Sequence, residues 1–177
     1  MPQKQAQTKL SVPDAKDSHF LGSKRMQHVI VAIGRWKAAP EKALYEKFKT
    51  RIRPTLQLRE VEEKKPIKGR ELLRREAQLL LNAVPNHARV VVLDGNGERL
   101  SSLELASKLR AWRDNGAGTI AFLIGGAIGL NDDVRKRADL ILSLGPQTWS
   151  HMLVRVMLAE QLYRVQSILM GHPYHRE

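Results

Sequence analysis

The chain contains no cysteine. Disulfides and thiolate metal sites are therefore excluded, and a reducing compartment fits. Aromatic residues are scarce, at 5% of 177 residues, which argues against the stacking platforms that hold single-stranded nucleic acid. No apolar run approaches the ~20 residues that cross a bilayer. The polar N-terminus has no apolar segment behind its charges, as a signal peptide would. A cytoplasmic protein without a membrane partner is the expectation. Acidic residues are also short: 18 Asp/Glu stand against 30 Lys/Arg, a net charge of +12. Five Lys/Arg and two Asp/Glu fall in residues 1–25, so +3 lies there and +9 in the rest. The excess belongs to the folded part, and such a field attracts polyanions, nucleic acid first among them. The bland alternative, on charge alone, is a basic protein with no such partner.

The length suits one domain with a proper core. Residues 1–25 are polar and lack apolar period, and read as a disordered extension or tag. The remainder, 26–177, reads as a single domain of alternating strands and helices. The expected strands are His28–Ile33, Leu56–Val61, Arg89–Leu93, Thr119–Ile124 and Leu140–Ser143. Between them, Pro40 opens a helix to about Ile52 with Ala43, Leu44 and Phe48 inward. Glu71–Ala83 is amphipathic, and Ser101 with Glu104 forms a capping box. Asp132–Ala138 makes a short helix, and Trp149 to about Met170 the longest. Lys64, Lys65, Lys68 and Arg70 form a basic loop. Strands separated by helices predict an α/β fold, a mostly parallel sheet of five to six strands with helices on both faces.

In such sheets ligands gather at the carboxyl ends of strands. Three ends carry the right residues: Leu93-Asp94-Gly95, Ile124-Gly125-Gly126 and Ser143-Leu144-Gly145-Pro146. The run Phe122-Leu-Ile-Gly-Gly-Ala-Ile-Gly129 reads as a strand breaking into a glycine turn where backbone approaches a ligand, or as a tight turn only. No dinucleotide fingerprint follows the first strand, and no P-loop exists. The serines lack a nucleophile elbow. His172 and His175 have no third ligand in view, so no metal is expected. His151 suits a helix-end hydrogen bond. Trp149, Met152, Leu153 and Val156 keep helical spacing and read as core or interface. The terminus, His172-Pro-Tyr-His-Arg-Glu177, holds more chemistry than a fraying tail requires, which suggests that it is docked and used.

Together these residues resemble the RlmH family of bacterial rRNA methyltransferases, a branch of the SPOUT or α/β-knot superfamily. The resemblance runs through Val31-Ala-Ile-Gly34, Val91-Val-Leu-Asp94, Phe122 to Leu130 and Leu142-Ser-Leu144. It continues through Thr148, His151, Leu153-Val-Arg-Val156 and Ala159-Glu-Gln-Leu-Tyr-Arg164, and closes on the terminal hexapeptide. It covers about residues 26–177. Two departures stand out: Ala127-Ile128, where the family usually has Pro and then an acidic or small residue, and Gly145-Pro-Gln147 after Ser143-Leu144. They bear on pocket shape.

The resemblance implies a C-terminal deep trefoil knot, a homodimer, and S-adenosylmethionine held among the three strand-end loops. The implied cofactor residues are Leu93, Asp94, Ile124, Gly125, Gly126, Gly129, Gly145, Pro146, Gln147, Thr148, Trp149 and Ser150. Asp94 either faces the cofactor's polar end or only forms its Asp-Gly turn. The implied substrate is a pseudouridine of 23S rRNA, methylated at N3 on the assembled ribosome. His175 is then the candidate base or proton relay. In the rival version water takes the proton and Arg176 stabilises the anion. Tyr174 would orient the base. Arg155 and His172 would contact RNA, or Arg155 the partner subunit. The alternatives are a non-catalytic ribosome- or RNA-binding α/β protein, and a SPOUT tRNA ribose methyltransferase.

Overall fold

The computed structural model describes residues 26–37 and 39–175. The expected extension over 1–25, and Arg176 and Glu177 of the tail, lie outside the described residues; for His175 the backbone alone is described. Five strands form one sheet: β1 (Gln27–Ile33), β2 (Gln57–Val61), β3 (Arg89–Glu98), β4 (Thr119–Ile124) and β5 (Leu140–Leu142). Five helices connect or follow them: α1 (Pro40–Lys49), α2 (Gly69–Asn82), α3 (Ser102–Asp114), α4 (Asp132–Arg137) and α5 (His151–Leu169). A short 3-10 turn, Pro173–His175, ends the described chain.

The strand order is β2-β1-β4-β3-β5, and every pairing is parallel. Both faces are covered, so β1, β4, β5 and the first half of β3 are largely apolar, while β2 at the sheet edge alternates between exposed and half-buried residues. Ile30, Ala32, Val91, Phe122 and Ile124 point to one face, where Tyr45 of α1, Leu105 and Leu109 of α3, and Leu158 and Leu162 of α5 meet them. Val29, Val31, Val90, Val92 and Leu123 point to the other, against Ala77 and Leu80 of α2 and Val134 of α4. Each fully buried aliphatic or aromatic side chain contributes ~1.5–3 kcal/mol.

Local signals account for most boundaries. Pro40 sits in the first turn of α1. The Ser101 hydroxyl accepts from the Glu104 N–H, and the Glu104 carboxylate accepts from the Ser101 N–H, closing the capping box of α3. Three expectations need correction. The first helix stops at Lys49, and its buried residue is Tyr45, while Ala43 and Leu44 are exposed. Strand β3 runs past Asp94 to Glu98, because β5 gives it a partner there: Leu142 pairs with Leu93 and with Glu98 across a bulge. Trp149 precedes the long helix, whose N-cap is Ser150.

Because all strands are parallel, all their carboxyl ends leave the sheet on one edge. The loops after β3, β4 and β5 share one half of that edge, and those after β1 and β2 the other.

Candidate active site at the carboxyl edge

A cavity of about 580 Å3 opens between the bulged end of β3, Leu93–Asn96, called the β3 loop below, and the loops that leave β4 and β5. The twelve residues implied for cofactor binding all line it: Leu93 and Asp94; Ile124, Gly125, Gly126 and Gly129; and Gly145 through Ser150. Further wall residues that sequence reasoning did not assign are Asn96, Leu130, Arg135, His151 and Val154. Leu93, Ile124, Leu130, Leu142, Leu144 and Val154 make much of the lining apolar.

Close backbone packing sets this shape. A first side-chain carbon at Gly125 would lie 2.8 Å from the Gly129 carbonyl oxygen and 2.9 Å from Leu130. At Gly97 it would lie 2.6 Å from the Ile141 carbonyl oxygen. Only glycine permits either approach. The buried Ser143 hydroxyl sits 3.1 Å from the Gly95 carbonyl oxygen and 3.0 Å from that of Gly145, and accepts from the Gly145 N–H at 3.2 Å. It thereby ties the β3 loop to the β5 loop.

Asp94 accepts the Asn96 N–H at 3.0 Å, a turn of the Asx kind. Its other oxygen takes Arg135 of α4 at 2.9 Å. Arg135 also donates to the Leu130 carbonyl at 2.8 Å and to Asp132 at 3.1 Å. One guanidinium thus joins the β3 loop, the glycine turn and α4. Nothing local marks Arg135 in the sequence, since its main partner lies 41 positions away.

The start of α5 forms another wall. Ser150 caps it by accepting the Met152 N–H at 3.4 Å. Burial, and then the neighbouring Arg155, push the His151 imidazole below its usual range, so it faces the cavity uncharged at neutral pH. Arg155 itself corrects the sequence reading. It is 0% exposed, and its guanidinium donates to Glu60 at 2.8 Å, the Ile33 carbonyl at 2.7 Å and the Gly34 carbonyl at 2.8 Å. It stands 5.1 Å from the Trp36 ring centre. So enclosed, it touches neither RNA nor a partner; it pins the loop after β1 to α5. Desolvation lowers the Arg155 pKa and Glu60 works against this.

Beneath the glycine turn lies Glu76 of α2, 9% exposed. Its carboxylate oxygens would stand 3.0 Å from a side chain at Gly126, and Oε2 has no hydrogen-bond partner. Burial raises its pKa.

The tail is elsewhere. The His172 N–H donates to the Ser167 carbonyl at 2.8 Å. The Tyr174 hydroxyl donates to Glu160 at 3.2 Å, and its ring packs on Tyr163 at 4.6 Å and under Arg164 at 5.0 Å. Neither His172 nor Tyr174 lines the cavity. Along α5, Glu160 is ~13 Å from His151. Among the described residues no group of three or more His, Asp or Glu is placed to hold a metal, and no helix is long and apolar enough to cross a membrane.

Residues 26–175 match the family model described as predicted SPOUT methyltransferase. A relative from Paramagnetospirillum magneticum, ribosomal RNA large subunit methyltransferase H, is 54% identical over 85% of this chain and 99% of its own. The proteins of that name from Rhodospirillum centenum and Paracoccus denitrificans are 53% and 46% identical, over 83% and 86% of this chain and 97% and 100% of theirs. Among solved structures, a probable methylase family protein from Haemophilus influenzae superposes with a TM-score of 0.53 at 14% identity, over 86% of this chain and 71% of its own, a likeness of fold.

Proposed function

The chain belongs to the SPOUT methyltransferase family, and from that premise we propose that it methylates large-subunit ribosomal RNA in the cytoplasm with S-adenosylmethionine as donor. The target is N3 of a pseudouridine in 23S rRNA on the assembled ribosome. The observation that carries the proposal is the convergence of twelve residues from three strand-end loops on one cavity, in a chain 54% identical to an rRNA large subunit methyltransferase.

The cavity suits this donor. Its volume falls within the ~300–1,000 Å3 usual for small-molecule sites. The charged side chains on its wall, Asp94 and Arg135, are bonded to each other. Among the described wall residues no unpaired cation therefore awaits a polyphosphate, and the apolar wall fits a nucleoside instead. When bound, the donor supplies an electrophilic methyl group.

The protein must then exclude water, align the target and take away a proton. Leu93, Leu144 and Val154 shield the site, and the backbone of Gly145–Ser150 offers hydrogen bonds to a base edge. Neutral His151 adds no charge to repel a cationic donor. The tail supplies the substrate side. His175 takes the N3 proton, Tyr174 orients the base, Arg176 steadies the developing anion and His172 contacts RNA. In the rival version solvent takes the proton and Arg176 alone acts.

A homodimer completes the site. Tyr174 is held at Glu160 within its own chain, so the tail serves a second copy's cavity. Support comes from exposed Trp149 and Leu153 and from an apolar groove of about 710 Å3 between Leu44, Phe48, Leu100, Leu105, Val156 and Met157. The knotted C-terminal threading of the family belongs to the same reading, as does one methyltransferase domain over 26–177.

The test is methyl transfer from labelled donor to ribosomes of a deletion strain, with mass mapping of the product. Deleting Tyr174–Glu177 is expected to abolish transfer while leaving a folded dimer that binds donor. Full activity after that deletion would sink the role of the tail. His175→Ala separates base from binder: a base predicts lost turnover with ribosome binding kept.

A further inference from the structure

The other half of the carboxyl edge carries no cavity in the site just described, but it carries charge. Lys37 leaves β1, Lys64 and Lys65 leave β2, and Lys68, Arg70 and Arg74 begin α2; all six are exposed. None has a carboxylate partner among the described residues, whereas most arginines around the rest of the sheet do. At the opposite edge Arg89 and Arg137 share Asp139 at 2.7 and 3.5 Å. Across α5, Arg164 pairs with Glu160. Three carboxylates that stand beside the six are engaged: Glu60 by Arg155, Glu62 by Arg35 at 3.8 Å, and Glu63 by Arg75 at 3.3 Å. Each of these three acids is matched by another arginine; Glu71, exposed in the first turn of α2, is the one nearby acid without such a partner among the described residues, and the six cations outnumber it.

The surface is joined to the cavity by direct contacts. The Gly34 N–H donates to the Val61 carbonyl at 2.8 Å, and the Trp36 N–H to Glu60 at 2.6 Å, so the loop after β1 is tied to the end of β2. Arg155 anchors the same corner from below. On its other side Gly34 abuts His151, whose Nε2 would lie 3.5 Å from a side chain there, and His151 lines the cavity.

We infer that this β1–β2 half of the carboxyl edge is the docking surface for the phosphate backbone of the RNA that flanks the methylated base. The inference rests on the function proposed above and adds to it where the RNA lies. Unpaired, exposed ammonium groups are what phosphates displace counterions to reach. Phosphate contacts fix register without reading sequence, which suits a surface beside a cavity that handles one nucleotide. The six cations are long and exposed, so they follow an irregular RNA backbone without a rigid fit.

The experiment compares two triple variants of the full-length protein. Lys64→Gln/Lys65→Gln/Lys68→Gln removes three charges from the surface. Lys47→Gln/Arg110→Gln/Lys136→Gln removes three exposed, unpaired charges elsewhere. Affinity for unmethylated ribosomes is read by co-sedimentation from 50 to 200 mM salt, beside methyl transfer and calorimetry with S-adenosylmethionine. The surface variant is expected to bind ribosomes ~10- to 100-fold more weakly, with the slope of log affinity against log salt shallower by about 2–3. Its KM for ribosomes rises, while kcat at saturation and donor affinity stay within about twofold. The control variant changes little. Equal weakening of both variants would mean a general field with no local surface, and would overturn the inference, as would no weakening of the first. A wild-type chain that binds ribosomes but transfers no methyl group sinks the functional reading, while the surface still stands or falls on the affinity difference. A wild-type chain that binds no ribosomes overturns both.

Discussion

The two edges of the parallel sheet are finished in opposite ways. At the amino edge Asp139 accepts the Val90 N–H at 2.7 Å and pairs with Arg89 and Arg137. Arg137 also donates to the Ala88 carbonyl at 3.2 Å, and the Asp139 N–H to Val90 at 2.8 Å. At the carboxyl edge Glu76 Oε2 is unpartnered, lysines lack carboxylates, and Ile128 and Trp149 stand exposed. A closed edge holds the sheet; an edge with open valences can meet something else. Sites that bind are where local rules of satisfaction are broken and the rest of the fold compensates.

The most damaging change to the open edge is expected at Gly125. Gly125→Val drives a side chain into the Gly129 carbonyl and Leu130, so the turn must shift. Donor affinity by calorimetry is expected to fall at least 100-fold, with a stability loss of ~1–3 kcal/mol from overpacking. Normal donor binding in a folded Gly125→Val protein would detach the turn from the cofactor site.

Against that stands an imperfection near the closed edge. His28 of β1 is half-buried, edge-on to Phe122 at 5.9 Å, and its two ring nitrogens are enclosed without a partner. Burial lowers its pKa to about 4 from 6.5. The folded chain therefore stays neutral there while the unfolded chain takes up a proton. Stability is expected to fall as pH drops from 6.5 towards 4, by at most about 3 kcal/mol at the end of that range. Urea melts of His28→Leu are expected to lack this component, with activity retained at neutral pH. An identical pH profile in the two proteins would remove His28 as its source.

Asp139 tests the closed edge itself. Burial alone would raise its carboxyl, but the Val90 N–H, Arg89 and Arg137 outweigh it and hold the pKa below the usual carboxylate range. A depressed carboxylate contributes stability that is present above its unfolded pKa and lost as pH falls through the folded one. Asp139→Ala is expected to cost ~1–3 kcal/mol at pH 7, and the difference from wild type to shrink in acid. Donor affinity should not change, since the cavity lies at the far edge; a large change would make the two edges one cooperative unit.

Much of this was legible in the sequence, for reasons of distance. Strand β4 is found at Thr119–Ile124, because an apolar run bounded by glycines needs no remote information. The capping box of α3 is equally local. The three cavity loops were readable because strand ends with glycine carry their own signature. The failures needed partners far along the chain. Strand β3 extends to Glu98 only because β5 lies beside it. Tyr45 rather than Leu44 turns inward, because its ring meets Trp36 at 4.8 Å, and apolar period cannot choose between adjacent residues. Arg155 takes its expected contact with RNA or a partner subunit from its place in the helix stretch that resembles the family; Glu60, 95 positions away, and two strand-end carbonyls bury it instead. Arg135 and Glu76 were missed for the same reason, their environment being assembled from α2, α4 and two loops.

Glu76 allows the finest distinction between the edges. Its carboxyl is buried against Gly126 without a hydrogen-bond partner for Oε2, and desolvation pushes its pKa up. A carboxyl raised in the folded state costs stability once pH exceeds its unfolded value, because the unfolded chain ionises first. Glu76→Gln keeps the shape and removes that ionisation. A gain in stability is expected at pH 8, fading as pH falls towards 4. If the open edge is unsatisfied because of what it binds, the same variant should change donor affinity even as it gains stability. A stability gain with donor affinity unchanged at every pH would make Glu76 an imperfection like His28, and the difference between the two edges would rest on the glycine loops and the lysines alone.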